Sequence, residues 1–114
     1  MIPEVRYYCQ GRRQPVADFI EDLAGTNSFA AAKLVDHIRV LAAEGPLSPV
    51  LICRHLGTGF WELKTRSRVG QHRVFYCVNQ GILWLLHAIT KKTGKTPRKD
   101  LELAYKRMRE VIGT

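Results

Sequence analysis

Apolar and polar positions change rhythm along the chain, and the rhythm marks the elements. Over residues 60–66, Trp61, Leu63 and Thr65 alternate with Glu62, Lys64 and Arg66, so one side is apolar and the other charged. Over residues 72–79, Arg73, Phe75 and Cys77 share one side, and Val74, Tyr76 and Val78 share the other. Residues 82–90 are apolar on both sides, as expected for a central strand covered twice. Residues 67–71 read as a loop. Asn79, Gln80 and Gly81 make a tight hairpin connection with Gly81 at positive φ. Residues 60–97 therefore predict three successive strands in an antiparallel meander, leading into a helix start.

The first half of the chain has a different period. Residues 2–9 predict a short strand, with Val5, Tyr7 and Tyr8 favouring extended backbone. Pro15 suits a first helical position. Val16, Phe19, Ile20 and Leu23 follow as one helical stripe, and Gly25 is the expected stop. Asn27 or Ser28 caps a second helix with Ala31, Leu34, Val35, Ile38, Leu41 and Ala42 on its apolar face. Gly45 and Pro46 close it. Residues 47–59 read as an irregular connector broken by Pro49, Gly57 and Gly59. Near the end, Thr96 caps and Pro97 opens a last helix, with a stripe of Leu101, Ala104, Tyr105, Met108 and Ile112. The predicted fold is α+β in the order β-α-α-β-β-β-α. Two helices pack on one face of the sheet, and a C-terminal helix ends the chain.

Composition sharpens this picture at two points. The 114 residues suit one domain, residues 1–114, large enough to bury a core without disulfides or a metal. The net charge of +8 is uneven. Residues 54–114 hold 13 Lys/Arg against 4 Asp/Glu, a net +9, whereas residues 1–53 hold 5 against 6, a net −1. A stiff sheet with cations at its margins suits a polyanion such as an RNA backbone. Three cysteines without tight spacing imply no disulfide framework. No apolar run approaches membrane-spanning length, and a cytoplasmic protein is expected.

The segments WELKTR and HRVFYCVNQGILWLLHAITKKTGKTP, followed by a basic amphipathic helix, resemble the phage-derived HigB-like branch of the RelE/ParE toxin superfamily. The resemblance spans residues 19–112 and is strongest over residues 61–105. It implies a RelE-like fold and the toxin of a type II toxin–antitoxin pair. It further implies a ribosome-dependent messenger-RNA endonuclease without a cofactor. The implied partners are a helix-turn-helix, HigA-like antitoxin, the ribosome and messenger RNA. The ParE branch instead poisons DNA gyrase, and fold alone does not separate the two activities or exclude an inert relative.

Metal-free RNA cleavage starts with attack of the neighbouring 2′-OH on the phosphate. It needs proton removal, charge stabilisation and protonation of the leaving oxygen. The resemblance implies that Arg73 contacts the phosphate and that Lys64 and Arg66 form a basic pair beside it. It places Lys91, Lys92 and Lys95 in the same active cleft, with Arg68, Arg98 and Lys99 as further RNA-binding cations. Glu62 departs from the pattern, standing where the branch has a lysine. Either it acts as base or the cluster is thinner. His72, next to Arg73, is the candidate proton carrier. His87, between apolar neighbours, reads as a packed core residue. Trp61 and Tyr76 offer stacking surfaces, although core packing explains both. Cys53 and His55 lack a second close pair, so no metal site is expected. Each cation also has a plain alternative: a salt bridge for Arg73, a solvated strand face for Lys64 and Arg66, a flexible turn for the lysines.

Overall fold

The computed structural model describes residues 4–113. Ile2 and Pro3, expected in the first strand, lie outside the described residues. The strand β1 spans Glu4–Tyr7, and the helices α1 and α2 span Pro15–Thr26 and Ser28–Glu44. Four strands follow: β2 (Ile52–Gly57), β3 (Phe60–Ser67), β4 (Gly70–Asn79) and β5 (Ile82–Lys91). The helix α3 (Arg98–Ile112) closes the order.

The five strands form one sheet in the order β1-β5-β4-β3-β2. The meander from β3 to β5 is antiparallel as expected, and β1 adds to β5 in parallel. The α1–α2 hairpin covers one face, where Val16, Leu34, Ile38, Leu63, Val74, Tyr76, Leu83 and Leu85 form the main core. Helix α3 covers part of the other face through Ala104 and Met108 on Phe60, Phe75, Cys77 and Leu86.

Asn27 ends one helix and starts the next. Its backbone N–H donates to the Leu23 carbonyl at 2.7 Å, and its side-chain oxygen accepts from the Ala30 N–H at 3.1 Å. Helix α1 thus continues past Gly25 to Thr26. Between β4 and β5, Gln80 and Gly81 both have positive φ, the geometry of a two-residue hairpin turn that follows the sheet twist.

Three local expectations change. The connector over residues 47–59 contains a strand, β2, paired antiparallel with β3 from Ile52↔Lys64 to His55↔Trp61. It is an edge strand with exposed Arg54 and His55, so it lacks the apolar alternation of an interior strand. Strands β3 and β4 run closer to each other than the loop reading implied, leaving only Arg68 and Val69 between them. Thr96 does not cap α3. Pro97 occupies the cap position without a side-chain cap, and the Thr96 hydroxyl bonds elsewhere.

Candidate functional site

Four cations of the second half meet in a cleft on the α3 side of the sheet. It has a volume of about 200 Å³ and is lined by Ile52, Arg54, Glu62, Lys64, Arg73, Gly94 and Lys95. Strand register assembles it. Arg54 lies opposite Glu62, and Lys64 lies opposite both Ile52 and Arg73. Residues directly opposite in an antiparallel pair share a face at about 5 Å between Cβ atoms. Residues 92–97, between β5 and α3, supply Gly94 and Lys95. Four cations therefore surround one carboxylate, so the cleft carries a net positive charge.

At its floor is a hydrogen-bonded network that leaves the buried Arg73 Nε without a partner among the described residues. Arg73 and Glu62 are 5 % and 4 % exposed. Arg73 donates to the Thr96 hydroxyl at 2.7 Å, the Gly94 carbonyl at 2.6 Å and the Gln71 side-chain oxygen at 2.8 Å. The Thr96 hydroxyl in turn donates to the Glu62 carboxylate at 2.8 Å. Arg54 approaches the same carboxylate at 3.6 Å from the rim. Both terminal nitrogens of Arg73 are thus engaged within the chain. Its visible task is to clamp the loop of residues 92–97 to the sheet, and Glu62 is the counter-charge that lets a guanidinium be buried there. Among the described residues, the half-buried Lys64 and the exposed Lys95 have no hydrogen-bond or ion-pair partner for their charged ends, and the exposed Arg54 has only the Glu62 carboxylate.

The remaining candidates separate by position. Lys91 lies opposite Gln71 at the end of β5, half-buried, and Lys92 is exposed in the following bend. Arg98 is exposed and paired with Glu102 one turn on, and Lys99 is exposed beside it. Arg66, near the far end of β3, and Arg68, in the turn that follows, border a different hollow that also includes Lys33.

His72 is on the opposite face from Arg73 and is fully buried. Its ring meets Phe19 of α1 edge-on, and its two nitrogens bond Ser67 Oγ at 2.7 Å and Thr90 Oγ1 at 2.9 Å. Burial, reinforced by Lys33, holds its pKa below the usual histidine range. The alternation of β4 puts neighbouring residues on opposite faces, so adjacency to Arg73 in sequence placed His72 away from the cleft.

His87 is packed, as expected, but by an unexpected route. An irregularity in the β4–β5 register between Phe75 and Tyr76 puts both Leu86 and His87 on the α3 side. There His87 stacks on Phe75, with Nε2 at 2.8 Å from Asp100 and Nδ1 at 3.3 Å from Arg107. Both ring nitrogens are in use. Tyr76 is buried in the main core with Trp61 stacked on it at 6.4 Å. Among the described residues, no group of three or more His, Cys, Asp or Glu side chains gathers in a metal-binding arrangement, and no helix is long and apolar enough to cross a membrane.

Sequence reading missed Arg54, because its strand was taken for a connector. The available signal was weak: a six-residue stretch, ICRHLG, between two glycine- or proline-marked turns.

The five-stranded sheet, the helical hairpin on one face and the single helix on the other define an α+β fold compatible with the RelE-like class. The model of the family described as Phage derived protein Gp49-like (DUF891) matches residues 21–109. The chain belongs to this family, a RelE/HigB-like group of toxins from toxin–antitoxin systems, and an antitoxin partner follows from that membership. No curated protein and no solved structure matches the chain.

Proposed function

We propose that this toxin of HigB-like type cuts messenger RNA engaged by the ribosome in the cytoplasm, with a helix-turn-helix antitoxin as its inhibitor. The observation that carries this reading is the convergence of Arg54, Lys64 and Lys95, from three separate segments, around one clamped floor. In the proposed reaction the 2′-OH attacks the adjacent phosphorus. The bond to the 5′-oxygen breaks, leaving a 2′,3′-cyclic phosphate and a free 5′-hydroxyl. The hydroxyl proton leaves and a proton reaches the departing oxygen. The three rim cations stabilise the additional charge on the phosphoryl oxygens. The hydroxyl proton passes to solvent water, and the Lys64 ammonium, fixed on a strand and half-buried, is assigned as the donor to the departing 5′-oxygen, because neither His72 nor His87 reaches the cleft. Arg73 positions the loop that bears Lys92 and Lys95. Glu62, held by the Thr96 hydroxyl and two guanidiniums, is a counter-charge and not the base.

The test is induced expression with mapping of transcript ends. Lys64→Ala and Lys95→Ala should each lower cleavage by roughly a hundredfold, as for loss of a transition-state donor. Lys95 is exposed and Lys64 half-buried without an ion pair among the described residues, so thermal midpoints should stay close to that of the parent. Folded variants that cut as well as the parent reject the assignment.

One observation favours a second reading. The arginine expected to contact phosphate has both terminal nitrogens bonded within the chain, which suits a toxin that binds a target without cutting RNA, such as a gyrase poison. A DNA-damage response with intact transcripts would select that reading.

A further inference from the structure

Phe29 is 88 % exposed in the first turn of α2. It borders an open hollow of about 550 Å³, together with Asn27, Ala30, Lys33, Arg66, Ser67 and Arg68. No acidic side chain lines this hollow, and among the described residues none of its three cations has an ion pair with a carboxylate. The parts come from two elements that are tied together. The Lys33 ammonium donates to the Arg66 carbonyl at 3.3 Å, holding the start of α2 against the end of β3.

We propose that Phe29, Lys33, Arg66 and Arg68 form a second RNA subsite. One unpaired base stacks on the Phe29 ring, and the flanking phosphates meet the three cations. This rests on the ribonuclease reading above and extends it along the strand.

Three considerations support RNA as the occupant. A large apolar ring left in water among like charges has the two ingredients of single-strand binding, a stacking platform and a backbone grip. The hollow is large enough for a nucleotide. It also connects to the cleft. Strand β2 stops pairing at Ile52↔Lys64, so among the described residues no strand pairs with that side of β3 from Thr65 to Ser67. Arg66 is two residues beyond Lys64 on that strand, about 7 Å at the usual rise. A single strand leaving the cleft along β3 would pass Arg66, which borders the hollow. A protein partner would need a broader apolar floor or matching acidic groups, and the hollow presents one ring and positive charge. Stacking tolerates every base, so the subsite adds grip and not sequence choice.

The test is anisotropy of a fluorescent single-stranded RNA oligonucleotide, with transcript cleavage scored in parallel on the same proteins. Phe29→Ala should weaken binding about tenfold, and Phe29→Trp should restore it. Thermal midpoints should not move, since the ring is exposed. Arg68→Ala should reduce the logarithmic salt slope by about 0.7, one phosphate contact to a single strand. Binding by Phe29→Ala equal to that of the parent overturns the subsite, as does a parent protein that binds no RNA while still cutting transcripts. Loss of antitoxin capture with RNA binding intact also overturns it. Weakened RNA binding in a protein family of variants that never cuts sustains the subsite and rejects the nuclease reading instead.

Discussion

Glu62 Oε2 and Arg73 Nη1 lie 3.8 Å apart on neighbouring strands, with the Thr96 hydroxyl bonded to both. This relationship links three segments distant in sequence. It turns what reads as an exposed charged strand face into a buried ionic floor. The position of Lys95 depends on it, because Arg73 also holds the Gly94 carbonyl and hence the loop bearing Lys95.

Breaking the pair from one side should therefore destabilise the fold. Arg73→Ala leaves the Glu62 carboxylate buried with Arg54 as its one remaining ion-pair partner among the described residues and removes three hydrogen bonds. The expected loss is roughly 3–5 kcal/mol, measured by urea unfolding. Arg73→Met combined with Glu62→Gln removes both charges and should recover most of that loss. A double variant no more stable than Arg73→Ala would show that the guanidinium acts on the loop alone. Loss of toxicity in Arg73→Ala by itself does not identify a phosphate contact, since a loosened loop gives the same result.

His72 should make stability fall in mild acid. Its folded-state pKa is lowered, so near and below its unfolded value, about 6.5, the unfolded chain binds a proton that the folded chain refuses. Its contribution is complete above that pH and is lost as pH falls. Melting curves taken from pH 8 down to pH 5 should show a steeper decline in the parent than in His72→Gln. His37 is shifted in the same direction by burial, so part of the decline should remain. Identical slopes in parent and variant would remove His72 as a source.

Tyr76 has a buried hydroxyl without a hydrogen-bond partner among the described residues. The Cys53 thiol beside it helps burial raise the phenol pKa but does not meet hydrogen-bond geometry. An unsatisfied buried hydroxyl costs about 1–3 kcal/mol relative to a partnered one. Tyr76→Phe should thus leave stability unchanged or raise it, by up to about 1 kcal/mol. A fall of similar size in the unfolding midpoint would reveal a partner for the hydroxyl in solution.

Gly70 opens β4 with a φ of 137°, and a Cβ there would sit 2.7 Å from the Lys91 carbonyl oxygen. Both strain and collision oppose a side chain. Gly70→Ala should cost roughly 1–3 kcal/mol and displace the end of β5, lowering cleavage together with stability. A variant with an unchanged denaturation curve would contradict the close approach of these two strands.

Much of the fold was legible along the chain. Alternation in residues 60–66 and 72–79, the apolar run after Gly81 and two helical stripes determined the meander and its helices. These signals are local, since a strand or helix with one buried face must repeat its apolar residues at its own period. The concentration of positive charge beyond Arg54 also belonged to the sequence, because a count of charges needs no geometry.

Tertiary structure decided which charges meet. Strand register placed Arg54 against Glu62 and Lys64 against Arg73, and nothing within a segment encodes its partner's offset. The two-residue pleat sent His72 to the helical hairpin and Arg73 to the cleft, although they adjoin in the chain. A register irregularity turned His87 toward α3. Edge strand β2 left little pattern because an edge is stabilised by backbone pairing more than by its own side chains. Whether Arg73 faces a ligand or its own chain depended on Thr96, more than twenty residues away, and only folding brings that hydroxyl to it.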